Sequence, residues 1–322
     1  MPNSRSSNVR IHSRAAAVAL LAALPSSLAR AQQVNPATAQ QPPQQTPQTT
    51  SPTGTGQDWT PWQDDTEHLS SWELPPIVVS ADAGDRLFEE DRVGSYGQPR
   101  WTAKRLFPTT RVYVVPEGKV EVEHWTRVKT PRDGKTTVEN QYEIEFGLPN
   151  RFQLDLYFVT EKTGSEGDLD VAEQKFELRY ALADWGVIPW NPTLYAEWVE
   201  VNGGADKIEA KLLFGDELAP TWHWGANLVY EHEVSGALES EYELTFGISH
   251  TLIDSKFALG AEMKAALVDV HGDRGDFEES LEVGPSLRYQ PTPNLHIDFA
   301  PLVGIGHDSR ESDIYLVVGY EF

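Results

Sequence analysis

The chain closes on Ile314-Tyr315-Leu316-Val317-Val318-Gly319-Tyr320-Glu321-Phe322, "IYLVVGYEF". Ile314, Leu316, Val318, Tyr320 and Phe322 are apolar, and Gly319 and Glu321 lie between them. A period of two marks a strand whose two faces meet different surroundings. Ends of soluble domains usually fray into polar residues; this end stays strand-like up to a terminal aromatic.

The same alternation recurs upstream. In "TTVENQYEIEFG" (136–147), Tyr142, Ile144 and Phe146 face away from Glu143 and Glu145. In "RFQLDLYFV" (151–159), Phe152, Leu154, Leu156 and Phe158 oppose Arg151, Gln153 and Asp155. "KFELRYAL" (175–182), "ESEYELTFGIS" (239–249) and "KFALGAEMKAALV" (256–268) repeat the pattern. Twelve such segments are expected, starting near residues 117, 136, 151, 171, 192, 206, 220, 238, 255, 278, 293 and 312. The connections alternate as well. Polar, Gly- and Asp-rich stretches such as "EKTGSEGDLD", "VNGGAD" and "VHGDRGD" take turns with shorter ones such as "LPN" and "QPTPN". Pro285 and Pro301 fall inside two of the segments, and proline avoids paired positions, so a bulge or register shift is expected there.

A soluble sandwich also alternates. Here, however, charges sit at strand centres while the opposite faces are uniformly large and apolar, and Trp and Tyr gather near segment ends (Trp185, Trp190, Tyr195, Trp198, Trp222, Trp224, Tyr230, Tyr289). The segments also suit a tilted bilayer crossing of roughly 9–11 residues. Lipid leaves no unpaired backbone, so such a sheet must close. The expected fold is therefore all-β: a closed antiparallel transmembrane β-barrel of about twelve strands, with long loops at one end and short turns at the other.

The N-terminus agrees with that destination. Arg5, Arg10 and Arg14 precede "AAAVALLAAL" and then "PSSLARA", the plan of a secretory leader over 1–31 cleaved after Ala31. Residues 32–57 are Gln, Pro and Thr and form an expected disordered linker. Residues 58–116 are a periplasmic lead-in or a segment inserted into the lumen, and 117–322 are the barrel. Loss of four leader arginines leaves 22 bases against 49 acids, a net charge of −27. That balance excludes nucleic acid as a partner. There is no cysteine, hence no disulfide or thiolate metal site.

Parity assigns the lumen candidates: the acids Glu143, Glu145, Asp155, Glu177, Glu197, Glu209, Glu241, Glu243, Glu262, Glu282 and Asp298, and the bases Arg151, Lys175, Arg179, Lys211, Lys264 and Arg288. An acidic lumen selects cations; interleaved signs can equally make a salt-bridged, closed interior. Arg92, Arg100, Lys104, Arg105 and Arg111 of the 94–116 neighbourhood would complement an acidic lumen. Enzymatic patterns are thin. Ser249 and His250 are adjacent in an expected turn without a third partner, and His307, Asp308 and Ser309 lie in a polar loop. "DVHGDRGDFEE" (269–279) lacks the ligand spacing of an EF-hand. No metal and no cofactor is expected.

"IYLVVGYEF", with Tyr320 and the terminal Phe322, resembles the last strand of bacterial outer-membrane barrels, which implies recognition by the barrel-assembly machinery. "YEIEFGLPNRFQLDLYF" and "YELTFGISHTLIDSKFALGAEM" resemble hairpins of the porin-like transporter family of the phenol-degradation MetA-pathway type. "LPPIVVSA" (74–81) resembles the energy-coupling box of TonB-dependent receptors, but the chain after Ala81 is too short for their plug and roughly 22 strands. These resemblances imply a barrel in outer-membrane lipid that passes an unnamed small solute passively, and the acidic lumen adds an expected cation preference. The alternatives are a non-conducting structural or surface-interaction barrel and an outer-membrane hydrolase.

Overall fold

The computed structural model describes residues 87–322 apart from Asp273. The leader, the linker and the "LPPIVVSA" stretch lie outside the described residues. Twelve strands run in chain order: β1 Val120–Thr130, β2 Thr137–Gly147, β3 Phe152–Thr163, β4 Asp170–Ala181, β5 Thr193–Val201, β6 Lys207–Ala219, β7 Trp222–Glu233, β8 Ser240–Ile253, β9 Phe257–Asp269, β10 Glu278–Thr292, β11 Leu295–Ile305 and β12 Ser312–Glu321. Each starts within three residues of its expected start. Neighbours in sequence pair antiparallel, and β12 returns to β1, closing the barrel. Among the described residues no helix is long and apolar enough to cross a membrane; this chain crosses with strands.

The alternation has the expected physical meaning. Phe158, Trp198, Leu228, Leu316 and Tyr320 are exposed on the outside, while Asp155, Glu177 and Asp313 are buried within. A contiguous apolar exterior of this extent is a lipid-facing surface. The terminal stretch is the closing strand. Its ladder runs from Ser312 opposite Thr130 to Glu321 opposite Glu121. Phe322 N–H then donates to the Val120 carbonyl at 2.9 Å. A floppy polar tail would abandon that seam.

Connections 131–136, 164–169, 202–206, 234–239, 270–277 and 306–311 lie at one end; 148–151, 182–192, 220–221, 254–256 and 293–294 lie at the other, with both ends of the barrel. The longest connection, 182–192, is on the short-turn side. It is not a lipid-belt turn alone, because Trp185 packs edge-on against Trp101 and Tyr113 of the N-terminal segment.

Three expectations need correction. The register of β10 and β11 is the same on both sides of Pro285 and Pro301, which therefore face one another across the seam. The two missing N–H donors are placed at a single gap between Val283 and Leu287, and neither a bulge nor a shift is needed there. Tyr195 is buried and donates to Glu197 inside the barrel, so it belongs to no lipid belt. Ser249 and His250 lie in β8 rather than a turn; Ser249 donates to the Leu259 carbonyl, and His250 stacks on Trp222 and contacts Thr221.

Candidate functional site: the barrel lumen

Residues 87–116 occupy the short-turn half of the lumen. Their only ladder is internal, Arg92 with Pro99 and Val93 with Gln98. Side chains and isolated backbone groups dock them to the wall. Phe88 and Glu89 N–H groups donate to Asp254, Tyr96 donates to the Leu148 carbonyl at 2.7 Å, and Trp101 Nε1 donates to Glu217 at 2.6 Å. Further along, Thr109 N–H donates to Glu262 at 2.8 Å, Arg111 N–H to Asn227 at 2.8 Å and Val115 N–H to Gln153 at 2.6 Å.

Two complementary walls receive this segment. On one side Gly215, Gly225 and Gly247 sit opposite each other on β6, β7 and β8. Their missing side chains make a smooth groove filled by Phe107 and Val112; a Cβ on Gly247 would lie 2.6 Å from the Phe107 ring. On the other side Arg105 and Arg111 meet carboxylates of β1 and β2. Arg105 donates through Nε to Glu123 at 3.0 and 3.2 Å, and its Nη2 lies 3.4 Å from Glu145 and 3.5 Å from Glu143. Arg111 Nη2 lies 2.5 Å from Glu143 and 3.0 Å from Glu145. Arg179 of β4 pairs with Asp155 at 2.9 Å and also bonds Glu177.

Glu89 begins the segment. Thr251 donates to one of its oxygens at 2.6 Å, while the other has no partner and lies 3.7 Å from His223 Nε2. Burial raises the Glu89 carboxyl to about 7, against the Thr251 hydrogen bond that favours its ionised form.

Beyond the segment, toward the long loops, a cavity of about 490 Å³ remains. Arg105, Pro108, Thr109 and Arg111 line it together with twelve carboxylates and, counting those two arginines, nine bases. Each of the nine bases has a carboxylate within 4 Å, for example Lys211 with Glu209 at 2.7 Å and Lys264 with Glu243 at 2.8 Å. Glu241, Glu278, Glu279 and Asp308 have no ion-pair partner among the described residues. Two smaller cavities lie along the segment. One of about 20 Å³ is lined by Arg105, Glu121 and Glu145, and one of about 180 Å³ by Lys104, Leu106 and Glu321.

The register links all three. Glu321 sits opposite Glu121, Glu121 opposite Glu145, Glu145 opposite Asp155, Asp155 opposite Glu177, Glu177 opposite Glu197, Glu197 opposite Glu209, Glu209 opposite Glu231 and Glu231 opposite Glu241. Nine strands in succession each contribute one acid. Strand tilt turns this lateral row into a ramp: Glu321 lies at the short-turn end of β12 and Glu241 at the loop end of β8. Like charges directly opposed in a sheet are destabilising; a base or His296 lies beside eight of the nine acids, Glu241 being the exception among the described residues.

Most sequence candidates face this interior. Glu143, Glu145, Asp155, Glu177 and Arg179 are buried in the packed half; Glu197, Glu209, Lys175, Lys211, Glu241, Glu243, Lys264 and Glu282 line the large cavity. Glu262, Arg288 and Asp298 are buried beside the segment or the wall: Glu262 binds Thr109, Arg288 donates to the Arg105 carbonyl, and Asp298 holds His296 at 2.5 Å. Arg151 is the correction. Strand β3 begins at Phe152, one residue later than the parity assumed, so Arg151 falls in the preceding turn and reaches the Ala181 carbonyl and Asp184. Glu121, Glu123, Glu231 and Glu321 were missed; "KVEVEHW" (119–125) carried the signal for the first two.

Among the described residues three sets could geometrically hold a metal ion: Glu121, Glu123 and His296; Glu123, Glu143 and Glu145; Glu143, Asp155 and Glu177. Each is already engaged by His296, Arg105, Arg111 or Arg179.

No family model matches the chain, and no curated protein matches it. Among solved structures the neighbours are outer-membrane β-barrels, porins and autotransporter domains among them. The chain is similar to NanC porin (13% identity, TM-score 0.45, covering 63% of this chain and 98% of that one). It is also similar to an outer-membrane channel from Pseudomonas putida F1 (10%, 0.47, 68% and 100%) and to KdgM porin (10%, 0.44, 63% and 99%). At this level the likeness concerns barrel architecture alone.

Proposed function

We propose that this chain is a porin-like outer-membrane channel for small solutes, cation-preferring, with its width set by residues 87–116. The carboxylate row carries the reading, because it passes through all three cavities from one rim to the other. In the large cavity a cation finds Glu241, Glu278, Glu279 and Asp308 without an ion-pair partner, whereas an anion meets only bases already paired with carboxylates. Arg105 lines both the large cavity and the cavity of about 20 Å³ and so stands between the two. The outer face belongs to lipid, and Tyr320 with Phe322 presents the closing strand to the assembly machinery. The test is planar-bilayer recording of the folded full chain across a KCl gradient. Steps whose reversal potential lies on the cation side support the reading; a folded barrel that never conducts overturns it.

A non-conducting barrel is the second reading, and one observation favours it: the cavity beside Arg105, about 20 Å³, has room for little more than one water.

A further inference from the structure

The cations that fill the short-turn half do not belong to the wall. The carboxylates stand on paired strands, whereas Arg105 and Arg111 hang from a segment that shares no ladder with those strands. The wall alone is therefore a site with a surplus of negative charge, and Arg105 is a tethered ligand seated in it.

The seat has the shape of its occupant. Glu123 takes one edge of the guanidinium, Nε at 3.0 Å and Nη2 at 2.9 Å, both on the same oxygen, with Nε also 3.2 Å from the other oxygen. Glu143 and Glu145 stand behind Nη2. Trp125 lies flat beneath, its ring centroid 4.0 Å from Cζ, and its own Nε1 donates to Glu123 at 2.9 Å, fixing the carboxylate. Edge recognition by carboxylates with an aromatic face below suits a planar delocalised cation better than a compact, strongly hydrated ammonium. Arg105 and Trp125 also form part of the floor of the large cavity, so a solute entering from the long loops meets this seat directly.

Resting on the channel reading above, we propose that the seat formed by Glu123, Glu143, Glu145 and Trp125 binds guanidinium-bearing solutes, and that such solutes open the lumen by displacing Arg105. The segment is held elsewhere by Phe107 in the glycine groove and by Thr109 on Glu262, so release of Arg105 loosens a loop without expelling the whole segment.

The test is chemical rescue. Arg105→Ala in the full chain removes the side chain beyond Cβ, and ethylguanidinium restores the missing atoms. Titration followed by tryptophan fluorescence should show saturable binding to the variant, at least tenfold tighter for ethylguanidinium than for ethylammonium at equal ionic strength. Equal affinities, or no binding by a folded variant, would overturn the proposal. If the variant does not fold, the wild-type chain gives the same answer. Tryptic cleavage after Lys104 and Arg105 should rise several-fold with ethylguanidinium and stay unchanged with ethylammonium; no difference between the two overturns it. Neither readout uses conductance. A conducting barrel that ignores ethylguanidinium sinks this inference alone, and a binding barrel that never conducts sinks the channel reading alone.

Discussion

The two halves of the lumen share one carboxylate row but neutralise it differently. In the short-turn half Arg105, Arg111 and Arg179 meet buried acids and pack among the buried Phe107, Val114 and Leu106. In the loop half five lysines, Lys129, Lys175, Lys207, Lys211 and Lys264, together with Arg127 and Arg310, meet acids around an open cavity. The division follows from the side chains. A guanidinium presents a fixed fork that satisfies several oxygens without water, whereas an ammonium keeps much of its hydration. Arginine therefore suits the packed half, the large cavity's five lysines stand in the open one, and deleting a base should have unequal effects in the two.

The largest contrast should come from deleting one base in each half. Arg105→Ala leaves buried carboxylates uncompensated and should cost about 3–5 kcal/mol. Lys211→Ala, in the open half, should cost about 1 kcal/mol or less. Urea midpoints of the folded barrel in detergent measure both, and equal effects would erase the distinction between the halves.

Next is the glycine groove. Gly247→Val places methyl groups where the Phe107 ring lies. Overpacking of this kind should cost about 1–3 kcal/mol, mostly by loosening the segment rather than the strands. Protease nicking within 87–116 should rise while the heat-modifiable band shift of the barrel persists.

A smaller effect concerns Glu89. Its carboxyl is raised to about 7 by burial, so the docked state binds the proton more tightly than an exposed Glu89 would. Docking is therefore favoured in full below the usual carboxylate range and weakens as pH rises through about 7, by on the order of 2 kcal/mol. Nicking ahead of Arg92 should increase over that pH interval, and Glu89→Gln should flatten the dependence. A rise toward acid pH would contradict the assigned cause.

Smallest in energy is the loop-half row. Changing Glu209, Glu231 and Glu241 together to Gln should leave stability within about 1 kcal/mol and move the reversal potential in a KCl gradient severalfold toward non-selectivity.

The fold was legible because lipid imposes a two-residue period on every strand, and the closing strand "IYLVVGYEF" carries it with few interruptions. Parity also separated inside from outside along the strands, and failed at Arg151, which lies in the turn before β3. The carboxylate row was not legible. It depends on which residue of one strand stands opposite which of the next, and single-strand patterns carry no such information. Arg105 was legible only as one of five bases that would complement an acidic lumen, and its partners were hidden for a similar reason. "QPRWTAKRLFPTTR" (98–111) has no periodicity of its own, and its conformation follows from the glycines and acids of distant strands. Trp185 and Tyr195 misled because an aromatic near a strand end serves a plug or a lumen as readily as a lipid boundary.

The account stands or falls on whether residues 87–116 govern passage. The chain has no cysteine, and Thr110 and Thr245 touch through their hydroxyls at 3.0 Å. Thr110→Cys with Thr245→Cys therefore offers a reducible lock between segment and wall. Single-channel current through this double variant should be low when oxidised and should rise, with cation preference retained, on reduction. The same current in both states, or none in either, would contradict the account.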